Sequence, residues 1–193
     1  GDLVSSPRGE PALLELLPRV RSRHGTYAVL GNHDVAVTRD PFSGARELED
    51  LARARAVLLR DDAATLEVGA SRVQLVGASP RAYMAGRARP ANLADPAAGL
   101  RILLCHFPNV VDQLPPESFQ LVLAGHHHGG QICLPAPGRR IPFAHPSARY
   151  PDGVFELEGT TLVVSRGLGT TFVPFRFFAR PEAALLVLRP SVI

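Results

Sequence analysis

QLVLAGHHHGGQ, residues 120–131, joins a short apolar run to three consecutive histidines set between glycines. A purification tag sits at a terminus, whereas this run lies inside the chain, and three of only seven histidines are spent on it. The apolar run is short and bounded by turn residues, which predicts a buried strand. The glycines keep the backbone open for close approach. The same arrangement recurs elsewhere. TYAVL (26–30) ends in Gly31, Asn32, His33 and Asp34; RILLC (101–105) ends in His106; Asp2 follows Gly1 and precedes Leu3 and Val4. Open α/β sheets place their ligands beyond the C-terminal ends of the strands. Several separate strands delivering His, Asp and Asn to one edge is hard to explain by packing alone.

The rest of the chain fits an α/β class of packed sheets with helices outside. Residues 11–23 carry leucines at helical spacing that Pro18 should end or bend. Residues 45–56 predict a second helix, with 57–59 a strand after it. Residues 65–68 and 72–76 flank Gly69, Ala70 and Ser71 as a hairpin. The Ala-, Pro-, Gly- and Arg-rich stretch 79–99 reads as a long surface loop with one helical turn. Further strands are expected at 120–124, 130–134, 153–157, 161–164 and 183–188, with a short helix over 109–114. No internal repeat and no long linker divides the 193 residues, which suit one domain.

Hydrophobic content of 46% and charged content of 20% exclude general disorder. No apolar run reaches the roughly 20 residues of a membrane span. The net charge is +3, and all 21 basic residues are arginines scattered along the chain. That favours anionic substrates or lipid headgroups and falls short of a nucleic-acid footprint. Cys105 and Cys133 lie in apolar runs and are expected as buried free thiols.

The nitrogen and oxygen donors, with no thiolate set, favour Mn, Fe or Zn over a cysteine-type structural zinc site. In an extended segment His126 and His128 would face one side and His127 the other. On that basis His127 is left out of the ligand set. The spacing alone does not count the ions.

In order, Gly1-Asp2, Gly31-Asn32-His33-Asp34, His106 and Gly125-His126-His127-His128 resemble the motifs of the calcineurin-like metallophosphoesterases: D-x-H, then GD, GNH followed by D or E, a lone H, and GHxH. GHHHGGQICLP and SRGLGTTFVPFRFFARPE are similar to the bacterial YaeI/YkuE-type branch. The resemblance implies a β-sandwich of two mixed sheets flanked by helices. It also implies hydrolysis of a phosphodiester or pyrophosphate at two divalent metal ions, Mn, Fe or Zn. By the same resemblance Asp2 bridges the ions, Asn32, His106 and His126 complete one site, and His128 serves the other. His33 would protonate the leaving oxygen, and Asp34 would orient His33.

The D-x-H motif is absent, so by this resemblance residue 1 falls inside the domain and a first strand–helix unit is missing. The expectation is then a weakly held first ion, an exposed sheet edge and reduced activity. The alternative is a catalytically impaired protein of the same fold that acts as a binding or scaffold module. A nuclease of this fold gains no support from the scattered arginines. The expected substrate is a phosphorylated small molecule or a lipid-linked one. The segment FVPFRFFARPE (172–182) mixes aromatics with arginines, which reads as packing of the last strands or as peripheral membrane contact. Location is expected to be cytoplasmic or membrane-associated, with any anchor or export signal upstream of residue 1.

Overall fold

The computed structural model of the chain describes residues 1–38, 40, 51 and 54–189. The helix expected over 45–56 falls largely outside them. Helix α1 spans Glu10–Leu16 and tightens into a 3-10 turn, Leu17–Arg19, where Pro18 removes an amide donor. Ten strands follow: β1 (Thr26–Ala28), β2 (Ala56–Leu58), β3 (Asp62–Val68), β4 (Ser71–Gly77), β5 (Leu100–Leu104), β6 (Leu121–Ala124), β7 (Cys133–Ala136), β8 (Arg139–Pro142), β9 (Gly153–Leu157) and β10 (Thr160–Val164). A second short helix, α2 (Pro80–Met84), lies between β4 and β5.

The mixed α/β class is as expected. Its centre is a six-stranded mixed sheet in the order β3-β4-β5-β6-β10-β9. Strands β4, β5, β6 and β10 run parallel, and β3 and β9 pair antiparallel at the edges. A separate parallel pair, β1-β2, and an antiparallel pair, β7-β8, complete the strands among the described residues. Alternation fixes the faces of the large sheet. Leu103, Val122 and Leu162 join one core with Phe119 and Val110, while Ile102, Leu121 and Val163 join another. Both faces are apolar, which explains why these parallel strands read as continuous hydrophobic runs. A third, smaller core of Leu30 and Val35 collects Leu3, Val4, Leu13 and Leu58.

The hairpin at 62–77 forms as expected, and Cys105 and Cys133 are buried free thiols. Three expectations are corrected. Residues 79–99 hold the expected helical turn as α2, but add a 3-10 turn at Pro90–Leu93 and are tied to the sheet. Ser79 caps α2 by accepting from the Ala82 amide, and the buried Gln74 amide donates to Leu93 O (2.9 Å) and accepts from the Asp95 N–H (2.8 Å). One polar side chain thus satisfies backbone that hydrophobic periodicity cannot report. The strand expected at 130–134 starts only at Cys133, because Gly129, Gly130 and Gln131 have φ of 60°, 85° and 50°, which no strand accommodates. Residues 183–188 form no strand; Leu185 and Val187 are 90% and 70% exposed, and no strand among the described residues pairs with them. No described helix is long and apolar enough to cross a membrane.

Candidate metal centre

Parallel neighbours must end at the same edge of a sheet. β5 and β6 pair with Leu104 opposite Leu123, so their C-terminal ends lie side by side. His106 and His126 each follow two residues after the strand, and the Gly125 N–H donates to His106 O (3.1 Å) to lock the two exits together. From β1 the chain enters Gly31 and Asn32 beside them. Here the glycines matter. A Cβ at Gly31 would collide with the Asp2 carboxylate, and one at Gly1 would press on the backbone of Gly31, so only this pair lets the two turns touch. The His33 N–H donates to Asp2 Oδ1 (2.9 Å) and fixes the carboxylate, while Asp2 itself has a φ of 55°.

Four donor atoms converge. His106 Nε2 lies 3.1 Å from Asp2 Oδ2, 3.1 Å from Asn32 Oδ1 and 3.0 Å from His126 Nδ1. Three of the four residues meet as a metal-competent group: Asp2, His106 and His126. An ion with bonds of about 2.0–2.2 Å holds tetrahedral donors about 3.3–3.6 Å apart. The observed spacings are within a few tenths of an ångström of that. The proton count points the same way. One N–H at His106 Nε2 can serve only one of three acceptors, and the buried Asp2 Oδ2 receives no hydrogen bond among the described residues. A cation satisfies all four donors at once, so the residues present fit one.

The charges agree. Burial pushes the Asp2 carboxyl up, but the His106 imidazole beside it and the His33 amide outweigh it and hold Asp2 well below the usual carboxylate range. Burial pushes the His106 imidazole down against the pull of Asp2, so neutral His106 faces an anion rather than forming an ion pair. Burial, then the neighbouring imidazoles, push His126 down to about 3, and burial and His145 push His127 down to about 4. Neutral imidazoles beside a carboxylate are ready ligands. These shifts set a stability window. A histidine with a depressed folded pKa binds its proton more readily when unfolded, so its contribution is complete above about 6.5 and is lost as pH falls toward 4 and then 3. The melting temperature of the ion-free protein is therefore expected to drop on going from pH 7 to pH 5. A flat profile over that range would contradict the assignment.

The centre opens on a cavity of about 830 Å³ that Asp2, Asn32, His33, His126, His127 and His128 line on one side, and Phe107, Phe143, Phe172 and Val173 on the other. Three curated proteins of this kind are similar to the chain. Metallophosphoesterase YkoQ of Bacillus subtilis is 27% identical over 94% of this chain and 68% of its own length. Metallophosphoesterase YkuE of the same organism is 28% identical over 99% of this chain and 66% of its own. Phosphodiesterase YaeI of Escherichia coli is 31% identical over 84% of this chain and 58% of its own. The chain is a metallophosphoesterase homologue. No family model matches it, and it spans about three fifths to two thirds of the length of these relatives.

Within this metallophosphoesterase homologue, one of the expected roles does not match the geometry. Asp34 does not serve as the carboxylate of His33. Its Oδ2 accepts from the Leu3 and Gly31 amides (3.0 and 2.9 Å) and its Oδ1 from the Val4 amide (3.0 Å), so it ties the Asp2 turn to the Asn32 turn. Among the described residues the Asp40 carboxylate faces His33, its Oδ2 3.9 Å from Nδ1 and both side chains buried. His128 lines the cavity but stands outside the groups whose donors converge. Its Nε2 is 3.3 Å from Thr171 Oγ1, its Nδ1 3.3 Å from Gly169 O, and Arg176 Nη2 lies 3.2 Å from that Nδ1. The alternation argument for 126–128 also fails, because φ is 73° at His126 and 53° at His128 and the segment turns. Sequence reasoning missed Asp40, Arg176, His145 and the placement of Gln131. The Gln131 amide donates to Thr171 O and Val173 O and accepts from the Thr171 N–H, stapling residues 171–173 to the cavity wall. The glutamine closing GHHHGGQ and the arginine inside FVPFRFF were the available signals.

Proposed function

We propose that the chain hydrolyses a phosphoester, a phosphodiester or a pyrophosphate, using two divalent ions drawn from Mn, Fe and Zn. The observation that supports this reading is the convergence of Asp2 Oδ2, Asn32 Oδ1, His106 Nε2 and His126 Nδ1 at the mouth of a cavity. These four would hold one ion, and Asp2 with His128 would serve the other. Bound ions would neutralise the phosphoryl charge and lower the pKa of an attacking water. The protein's own contribution is placement. Asp34 holds the two ligand-bearing turns together, and His33, facing the same cavity, donates a proton to the leaving oxygen. Asp40 is the carboxylate placed to orient His33.

The apolar wall of Phe107, Phe143 and Phe172 supports a substrate with an apolar or lipid-linked portion. Phe143, Phe172, Phe175 and Phe178 are each more than half exposed, which supports peripheral contact with a lipid surface beside the cavity. The test is hydrolysis of bis(p-nitrophenyl) phosphate with added Mn²⁺. His33→Ala is expected to lower kcat by roughly 10²–10⁴-fold, the usual worth of a positioned acid. Equal rates would overturn the reading. A second reading, an impaired centre that binds phosphoesters without cleaving them, is favoured by Arg176, whose guanidinium sits against His128 where a cation would be repelled.

A further inference from the structure

His127 has no part in the centre described above, yet it is buried, only 7% exposed, with both ring nitrogens unpaired among the described residues. A neutral imidazole carries one donor and one acceptor, and leaving either buried and unpaired costs about 1–3 kcal/mol. Its neighbours are two more imidazoles. The ring of His127 lies 4.9 Å from that of His126 and 4.8 Å from that of His145, and His126 and His145 are 5.2 Å apart. One nitrogen from each of the three falls within 4.8 Å of the others.

We propose that His126, His127 and His145 form a further cation site, adjoining the Asp2–Asn32–His106–His126 set and sharing His126 with it, for a divalent ion of nitrogen-donor preference such as zinc. His126 directs Nδ1 at His106, so it would contribute Nε2, and with both ions bound its ring proton would leave to solvent to give a bridging imidazolate. Three imidazoles with no carboxylate or thiolate suit Zn²⁺, Ni²⁺ or Cu²⁺ and disfavour Mg²⁺ and Ca²⁺. Zinc–nitrogen bonds of about 2.0–2.1 Å require donors about 3.3 Å apart. His145 is exposed and supplies the closure by turning its ring. All three residues line the large cavity, so a fourth position on the ion faces whatever enters it. An ion here takes up one of the two orphaned nitrogens of His127 by coordination and fixes the tautomer that leaves the other protonated.

The test is zinc binding by the full chain, stripped of metal, with Zn²⁺ as the probe and the bound metal counted after equilibrium dialysis. Wild type is expected to bind one equivalent more than His145→Ala, a surface substitution that leaves the fold intact by circular dichroism. His106→Ala is expected to keep an equivalent that His106→Ala/His145→Ala loses. With Co²⁺ in place of Zn²⁺, the visible bands of a nitrogen-ligated ion should weaken in His145→Ala. An unchanged zinc count and affinity in His145→Ala overturns the proposal, whatever His127→Ala does. The assay reads no hydrolysis, so it stands or falls apart from the phosphoesterase reading.

Discussion

Replacing Asp34 by alanine is expected to destabilise the fold by about 3–5 kcal/mol. The side chain is 1% exposed and accepts three backbone hydrogen bonds, from Leu3, Val4 and Gly31. Its removal leaves three amides without their acceptor in a region where little water enters. The loss also spreads, because these bonds join residues 3–4 to residue 31 across about thirty positions of sequence. Leu3 and Val4 would leave the small core of Leu30 and Val35. Asp34→Asn keeps one carbonyl oxygen and should fall between wild type and Asp34→Ala. The midpoint of urea unfolding measures the effect. A loss below about 1 kcal/mol for Asp34→Ala would mean that the turns hold together by other means.

The second large effect is on chemistry. Asp2→Ala is expected to lower kcat/KM toward a phosphodiester by on the order of 10³-fold, about 4 kcal/mol, together with loss of bound ions. Among the described residues, Asp2 is the only anion whose donor atom meets His106 Nε2, Asn32 Oδ1 and His126 Nδ1, so without it the ion would be held by neutral groups alone. Asp2→Asn separates the two jobs of the side chain. It keeps an oxygen for the His33 amide but gives up the charge. The turn should survive in Asp2→Asn while ion affinity and rate fall as in Asp2→Ala. Calorimetric titration of Mn²⁺ alongside the rate assay reads both. Wild-type ion binding in Asp2→Asn would move the source of affinity from the carboxylate to the imidazoles.

Several features could be read from the chain before any coordinates. The apolar runs before His106 and His126 are local signals, and both became parallel strands of one sheet. The hairpin at 62–77 was marked by its glycine turn. Other features depended on partners far away. Gln74 reaches residues 93 and 95, and that contact ties the second half of the expected loop to the sheet. Residues 183–188 carry the alternation of a strand, yet no sheet edge among the described residues takes them.

The sequence by itself determined which donors exist and that they sit at strand ends, because apolar period, glycine punctuation and donor type are properties of neighbouring residues. Only the tertiary structure decided which donors meet. Asp34 faces three amides rather than His33 because Leu3 and Val4 pack beneath it. His128 turns toward Thr171 and Arg176 because positive φ at His126 and His128 breaks the two-residue alternation an extended chain would impose. His145 reaches His127 only once β7 and β8 have folded back between them. Backbone dihedrals and contacts across dozens of residues are set by packing of the whole chain, and no local window contains them.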